Sequence, residues 1–208
     1  MVLDQDLKKQ KHLMRLFPLF LKLRGRRCLI VGGGKISEGK TAGLLSTGAK
    51  IRVVSPEVTA QIAAWHRGKK VQWIKRKFRK ADLAGAYMVI AATSSAAVHQ
   101  IVYKEAQRRG ILCNIVDVPE LCDFYYGSVV QRGDLQIAIS TAGASPSLAK
   151  RLRKKLEKEF GAEYGDWLKV LVKERESIRR GAASAGEKLK LLEEAAGESA
   201  FAEFSKRR

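Results

Sequence analysis

The sequence is poor in the residues that build disulfide frameworks and metal sites. It has 3 cysteines, an odd number, and they form no Cys-x-x-Cys pair. Its 3 histidines, His12, His66 and His99, show no metal-ligand spacing. These absences disfavour a disulfide-stapled secreted domain and a preformed zinc site. Reduced thiols indicate a cytoplasmic protein, in which we expect Cys28 and Cys113 to be buried on strands.

Long apolar runs are missing as well. No stretch reaches the roughly 18 apolar residues that a membrane-spanning helix needs. The first residues, which are rich in Asp and Lys, lack the apolar core of a signal peptide. We therefore expect a protein without a membrane span.

Acidic residues are scarce compared with basic ones. The chain has 40 Lys+Arg against 21 Asp+Glu, which gives a formal net charge of +19. Such a balance indicates a polyanionic partner: nucleic acid, an anionic membrane surface, or a substrate with many carboxylates or phosphates. The interleaving of aromatic and basic residues that is typical of RNA-binding modules is absent, which makes nucleic acid the weaker expectation.

A glycine-rich run follows a short apolar stretch and supports two nucleotide-binding interpretations. Gly32-Gly33-Gly34 come directly after Cys28–Val31. From Gly32 the run matches G-x-G-x-x-S, the strand-to-helix turn of a dinucleotide-binding fold with Ser in the third position. From Gly34 it matches G-x-x-x-x-G-K-T, the P-loop of nucleotide triphosphatases. Both place a phosphate at a helix N-terminus, but they predict different chemistry.

The dinucleotide interpretation is favoured by the position of the glycines. A P-loop arches out between strand and helix, whereas here three glycines follow the strand at once. Lys40 would then lie about two turns into the helix, as a solvated residue. The acid that usually ends strand two is missing, because Ser55 stands there and Glu57 follows two residues later. The residues alone therefore leave NAD and NADP open.

The first half of the chain alternates strand-like and helical segments. We predict strands at 26–31, 51–54, 71–74, 87–92 and 111–116, and helices at 35–46, 57–66 and 96–109. This order predicts an α/β fold, a Rossmann-like parallel sheet with helices on both faces. Ligands of such sheets lie beyond the carboxyl ends of the strands. The candidate cofactor-binding residues at these ends are Gly32, Gly33, Gly34, Lys35, Ile36, Ser55, Pro56, Glu57 and Thr93, and Asn114 to Asp117 share the same crevice.

The second half changes character. Two strand-like runs, 127–131 and 135–140, flank the turn Arg132-Gly133-Asp134 and predict a hairpin. A basic helix should start at Pro146 with Ser145 as its N-cap. We expect four glycines to break the remaining tail into short helices: Gly161, Gly165, Gly181 and Gly186. The predicted organisation is a Rossmann domain at 1–116, a small α+β dimerisation and substrate region at 117–147, and a basic helical C-terminal domain at 148–208.

Several segments resemble the precorrin-2 dehydrogenase and sirohydrochlorin ferrochelatase family, the N-terminal module of siroheme synthase, and they occur in the family's order along the chain. The likeness covers about residues 13 to 160, and its most specific part is Ser140-Thr141-Ala142-Gly143-Ala144-Ser145-Pro146-Ser147-Leu148-Ala149. The other segments that carry it are Leu16–Leu23, Cys28–Gly34, Ala91–Thr93, Cys113–Asp117 and Val129–Gly133. The chain departs from the family at Gly39, where an Arg is usual, and at Gly127 and Ala142. The Gly39 departure creates the P-loop look-alike.

The resemblance implies an NAD-dependent oxidation of precorrin-2 to sirohydrochlorin, an octacarboxylate tetrapyrrole that suits a strongly basic protein. Some members also insert ferrous iron to make siroheme, so chelation is an open expectation. It further implies a homodimer, Asp117 as the catalytic residue, and Asn114, Ser128 and Ser145 as substrate contacts. Two alternatives remain: Asp117 could simply form a turn after its strand, and the protein could be a non-enzymatic nucleotide- or nucleic-acid-binding protein on the same fold.

Overall fold

The computed structural model describes residues 16–207, which fall into two compact units with their boundary between Tyr125 and Tyr126. The strands and α-helices of the first unit are β1 (Arg27–Val31), α1 (Lys35–Leu45), β2 (Lys50–Val54), α2 (Ala60–Arg67), β3 (Gln72–Ile74), β4 (Met88–Ala91), α3 (Ala96–Arg108) and β5 (Leu112–Ile115). Those of the second unit are β6 (Ser128–Arg132), β7 (Leu135–Ile139), α4 (Pro146–Glu159), α5 (Glu163–Arg180), α6 (Ala185–Ala195) and α7 (Glu198–Lys206).

The first unit is a five-stranded sheet with the order β3-β2-β1-β4-β5, and every neighbouring pair is parallel. This is the predicted Rossmann-like sheet. The register aligns Val31 with both Val54 and Ala91, and Ala91 with Ile115. Because the carboxyl ends of β1, β2, β4 and β5 are level, the loops that follow these strands leave the sheet at one edge.

Alternating side chains of the strands fill a core on each face of the sheet. On β1, Leu29 and Val31 pack with the α3 side, whereas Cys28 and Ile30 pack with Ile62 of α2. This period of two is what a strand buried on both faces requires. Cys28 and Cys113 are buried free thiols, as expected, and burial raises their pKa values to about 11 and about 12.

Two local elements differ from the sequence-based expectation, one in its start and one in its existence. The predicted helix at 57–66 begins only at Ala60, because the Thr59 hydroxyl accepts a hydrogen bond from the Ile62 N–H at 3.3 Å and caps the helix there. A 3₁₀ turn at Lys80–Leu83 was not predicted. It forms around the buried Asp82, whose carboxylate accepts hydrogen bonds from Arg76 at 2.5 and 2.8 Å.

The second unit contains the predicted hairpin and a set of helices. Strands β6 and β7 are antiparallel, and Gly133 adopts a left-handed φ of 57° in the turn. Helix α4 begins at Pro146, as predicted.

The expectation that all four tail glycines break helices is wrong for Gly165 and Gly186, which lie inside α5 and α6. A Cβ at Gly165 would lie 2.9 Å from the Arg132 carbonyl, so this glycine serves close packing against the hairpin turn. Over the residues that the structure describes, no helix has the length and apolarity needed to cross a membrane.

Candidate active site at the carboxyl edge of the sheet

In the turn after β1, Gly32 and Gly33 occupy positions where any side chain would clash with a neighbouring backbone carbonyl. Gly32 has a left-handed φ of 117°, and a Cβ at this position would lie 2.1 Å from the Ala92 carbonyl oxygen. That oxygen also lies 3.4 Å from the buried Ser37 hydroxyl of α1, which donates to it. The first glycine therefore lets the turn and α1 pack directly against the end of β4.

Gly33 has the same role toward the segment after β2. A Cβ at Gly33 would lie 1.9 Å from the Glu57 carbonyl oxygen and 2.9 Å from the Ser55 hydroxyl. The Thr59 N–H donates to the Gly33 carbonyl oxygen at 2.9 Å. The structure thus places Ser55, Pro56 and Glu57 beside the glycine turn, as the sequence predicted.

Gly34 differs from its two neighbours because its surroundings are open. It is the N-cap of α1, no side chain caps it, and a Cβ there would have nothing within 4 Å. Lys35 and Ile36, the first helical residues, are exposed. Uncapped N–H groups at an open helix N-terminus are the arrangement that holds the pyrophosphate of a dinucleotide. These residues fit NAD(P).

The geometry of the turn and of α1 contradicts the P-loop interpretation. A P-loop needs a non-helical arch between its first glycine and its lysine, but α1 is helical from Lys35 through Lys40. Lys40 is also half-buried, contrary to the expectation of a solvated helix residue. Burial lowers the pKa of Lys40, and the negative charge of the nearby Asp117 carboxylate partly opposes that shift.

Thr93 and Asp117 follow the ends of β4 and β5 at the same edge. The Val116 N–H donates to the Ala91 carbonyl oxygen at 2.9 Å, which keeps the two strand ends level. The ring of His99 lies 2.8 Å from the Thr93 carbonyl oxygen and fixes that loop. Asp117 is exposed and has a left-handed φ of 62°. Non-glycine residues rarely adopt this conformation, which is concentrated at functional sites.

Comparison with known proteins agrees with this geometry. Residues 19–128 match a family described as NAD(P)-binding, and residues 132–159 match the central domain of sirohaem biosynthesis proteins. The solved structure of SirC, a precorrin-2 dehydrogenase, has a TM-score of 0.76 to the chain and is 30% identical to it, and the alignment covers 92% of this chain and 98% of SirC. The chain belongs to the precorrin-2 dehydrogenase family.

Longer relatives share this module. The siroheme synthase of Methylobacillus flagellatus is 41% identical over 80% of this chain, and that of Nitrosococcus oceani is 38% identical over 73%. The matched regions cover 36% and 32% of those proteins, so the chain spans about a third of the length of these relatives.

In this member of the precorrin-2 dehydrogenase family, Asn114 has a structural role that the sequence did not indicate. Its side chain is buried, and its amide donates to the Phe124 carbonyl oxygen at 2.8 Å and to the Cys122 sulfur at 3.4 Å. Asp123, which the sequence did not single out, accepts a hydrogen bond from the Cys113 N–H at 2.8 Å. Both contacts fold the segment after β5 back onto that strand and so hold the loop that carries Asp117.

The predicted substrate residues Ser128 and Ser145 lie in the second unit. Ser128 is the half-buried first residue of β6 and pairs with Ile139. Ser145 caps α4, because its hydroxyl accepts from the Leu148 N–H at 3.2 Å. The Thr141 hydroxyl accepts from the Ser145 N–H at 3.1 Å. In the described part of the chain, no group of three or more His, Cys, Asp or Glu side chains is placed to hold a metal ion.

Proposed function

We propose that the protein is an NAD-dependent precorrin-2 dehydrogenase that forms sirohydrochlorin in siroheme biosynthesis. The observation that carries this proposal is the alignment of the uncapped glycine turn with Asp117 at one edge of the sheet. The turn supplies the dinucleotide site, and the loop after β5 supplies a carboxylate. SirC, which shares this fold over nearly its whole length, is a precorrin-2 dehydrogenase.

The dinucleotide is proposed to bind across the ends of β1, β2 and β4. Its pyrophosphate would lie against the N–H groups of Gly34, Lys35 and Ile36, close to Gly32 and Gly33. Its ribose would lie near Ser55, Pro56 and Glu57, and Thr93 would face it from the next loop. Bound in this way, NAD supplies the acceptor for the hydride that leaves the substrate.

Asp117 is proposed to be the general base. Removing a hydride from the macrocycle also releases a proton, and the proton needs an acceptor. An exposed carboxylate beyond the end of β5 can take it, an effect typically worth about 10² to 10⁴ in rate. Lys40 on α1 lies within electrostatic reach of this carboxylate, which partly opposes the lowering of the Lys40 pKa by burial.

The substrate is proposed to be bound through its carboxylates. A net charge of +19 suits an octacarboxylate ligand, because each carboxylate can form a charge-assisted hydrogen bond with Lys or Arg. The residues proposed to contact the substrate are Asn114, Ser128 and Ser145. For Asn114 the contact would use its Oδ1 atom, since its amide N–H groups bond Phe124 and Cys122.

The proposed organisation keeps the functional regions 1–116, 117–147 and 148–208, with a homodimer formed through the middle region and a cytoplasmic location. The activity is tested by mixing the purified protein with precorrin-2 and NAD and measuring sirohydrochlorin and NADH by their absorbance. One NADH should form for each sirohydrochlorin, and neither should form without NAD. A protein that binds NAD but leaves precorrin-2 unchanged would point to the non-enzymatic alternative.

A further inference from the structure

A basic surface cavity, open to solvent, lies at the amino ends of the first unit's strands, opposite the glycine turn. It has a volume of about 340 Å³ and is formed where β1, β2 and β4 begin. Its lining residues are Gly25, Arg26, Arg27, Lys50, Gly85, Ala86 and Tyr87. Strand β1 has 5 residues, so its length of about 16 Å separates the cavity from Gly32.

The strand register brings the cations of this cavity together. Arg27 of β1 is paired with Lys50 of β2, and the Lys50 N–H donates to the Arg26 carbonyl oxygen at 2.8 Å. On the other side of β1, the Tyr87 N–H donates to the Arg27 carbonyl oxygen at 2.9 Å. Arg27 and Lys50 both line the cavity, and no carboxylate lines it to offset their positive charges.

Neutral groups hold the two guanidinium groups in place. Arg27 donates from Nη1 to the Ala84 carbonyl oxygen at 2.7 Å. Arg26 lies over the Tyr87 ring, with 5.1 Å from its Cζ atom to the ring centroid. A Cβ at Gly85 would lie 2.8 Å from Nη1 of Arg27, so this glycine makes room for the guanidinium. The two guanidinium groups are therefore oriented by neutral partners, which do not offset their charge.

We propose that this cavity binds a small anion that carries at least two phosphate or carboxylate groups. The planar forks of Arg26 and Arg27 match the geometry of such groups, and Lys50 adds a third positive charge. The site is separate from the dinucleotide turn, because the two lie at opposite ends of the strands. Its occupant offsets the positive charges that line the cavity.

The proposal is tested by calorimetric titration of pyrophosphate and of citrate into the NAD-saturated protein. Saturating NAD occupies the glycine turn, so that the remaining binding reports on other sites. At least one of the two anions should bind to a single saturable site, and the tighter one identifies the ligand as a phosphate or a carboxylate. Arg27→Gln/Lys50→Gln should weaken that binding about tenfold or more. The control Arg67→Gln/Lys104→Gln removes the same charge from α2 and α3 and should not.

A second pair of variants keeps the charge constant. Gly85 has a left-handed φ of 67° and Gly110 one of 64°, and asparagine tolerates this conformation. Gly85→Asn should displace the Arg27 guanidinium and weaken anion binding, whereas Gly110→Asn, which has nothing within 4 Å of its Cβ position, should not. The proposal is overturned if neither anion saturates a site, if both double variants weaken binding equally, or if Gly85→Asn binds like the wild type.

Discussion

Lys40 on α1 and Asp117 after β5 carry opposite charges at the same edge of the sheet. Partial burial lowers the pKa of the Lys40 ammonium, and the Asp117 carboxylate opposes that shift by electrostatic attraction. Lys40 is the residue that the sequence pattern assigned to a P-loop. In the structure it belongs to the surroundings of the proposed general base.

Replacing Asp117 by asparagine should lower the pKa of the Lys40 ammonium further, because the carboxylate that opposes the effect of burial is then lost. The pKa of Lys40 is measured by NMR titration of 13C-labelled lysine side chains. Asp134→Asn, at an exposed position in the hairpin turn, is the control and should leave the pKa of Lys40 unchanged. An unchanged pKa of Lys40 in Asp117→Asn would refute the electrostatic link between the two residues.

The open position of Gly34 gives a sharp test of the dinucleotide site. Gly34→Asp should fold normally, because nothing lies within 4 Å of its Cβ position. It should abolish NAD binding by placing a carboxylate against the pyrophosphate. Gly39→Asp adds the same charge to the same helix, also into open space, and should bind NAD normally. Normal NAD affinity in Gly34→Asp, measured by calorimetry, would contradict the assigned site.

The ion pair between Arg76 and Asp82 should make stability depend on pH. The hydrogen bonds from Arg76 lower the pKa of the Asp82 carboxyl, burial opposes the shift, and the Arg79 N–H adds to it. Because this pKa is lower in the folded than in the unfolded protein, the ionised carboxylate contributes its full stabilisation above the unfolded-state pKa, which is near 4. The contribution is lost as the pH falls through the folded-state pKa.

Asp82→Asn should therefore lower the free energy of unfolding by about 2 kcal/mol at pH 7, as measured by urea denaturation. The difference from the wild type should shrink as the pH is lowered below about 4. Asp134→Asn, at an exposed position in the hairpin turn, is the control and should have the wild-type free energy of unfolding at pH 7 and at pH 2. A difference between Asp82→Asn and the wild type that persists undiminished at pH 2 would rule out this ion pair as its cause.

Binding of the product should be strongly salt-dependent if its carboxylates pair with lysines and arginines. Raising the NaCl concentration screens several charge pairs at once, so the dissociation constant of sirohydrochlorin should rise steeply. The dissociation constant of NAD, which carries fewer charges, should rise less. Fluorescence titration at low and high salt measures both, and a salt-insensitive affinity for sirohydrochlorin would mean that the basic surface serves another ligand.

The parallel sheet and the glycine turn could be predicted because their signals are local. Apolar runs separated by helical segments predict the strands, and Gly32 directly after β1 predicts the turn. The roles of Lys40 and Asn114 depend on contacts with residues far along the chain, which spacing alone does not reveal. For the same reason Gly165 reads as a helix breaker in the sequence, although it packs against the turn that follows Arg132.

Single-turnover oxidation of precorrin-2 by NAD-saturated protein, compared between the wild type and Asp117→Asn, tests the central claim most directly. Asparagine is the matched replacement, since it tolerates the left-handed φ of 62° at this position but cannot act as a base. The wild type should form one NADH per macrocycle, and Asp117→Asn should bind NAD normally and react about 10² to 10⁴ times more slowly. A well-folded Asp117→Asn protein that reacts at the wild-type rate would contradict the account.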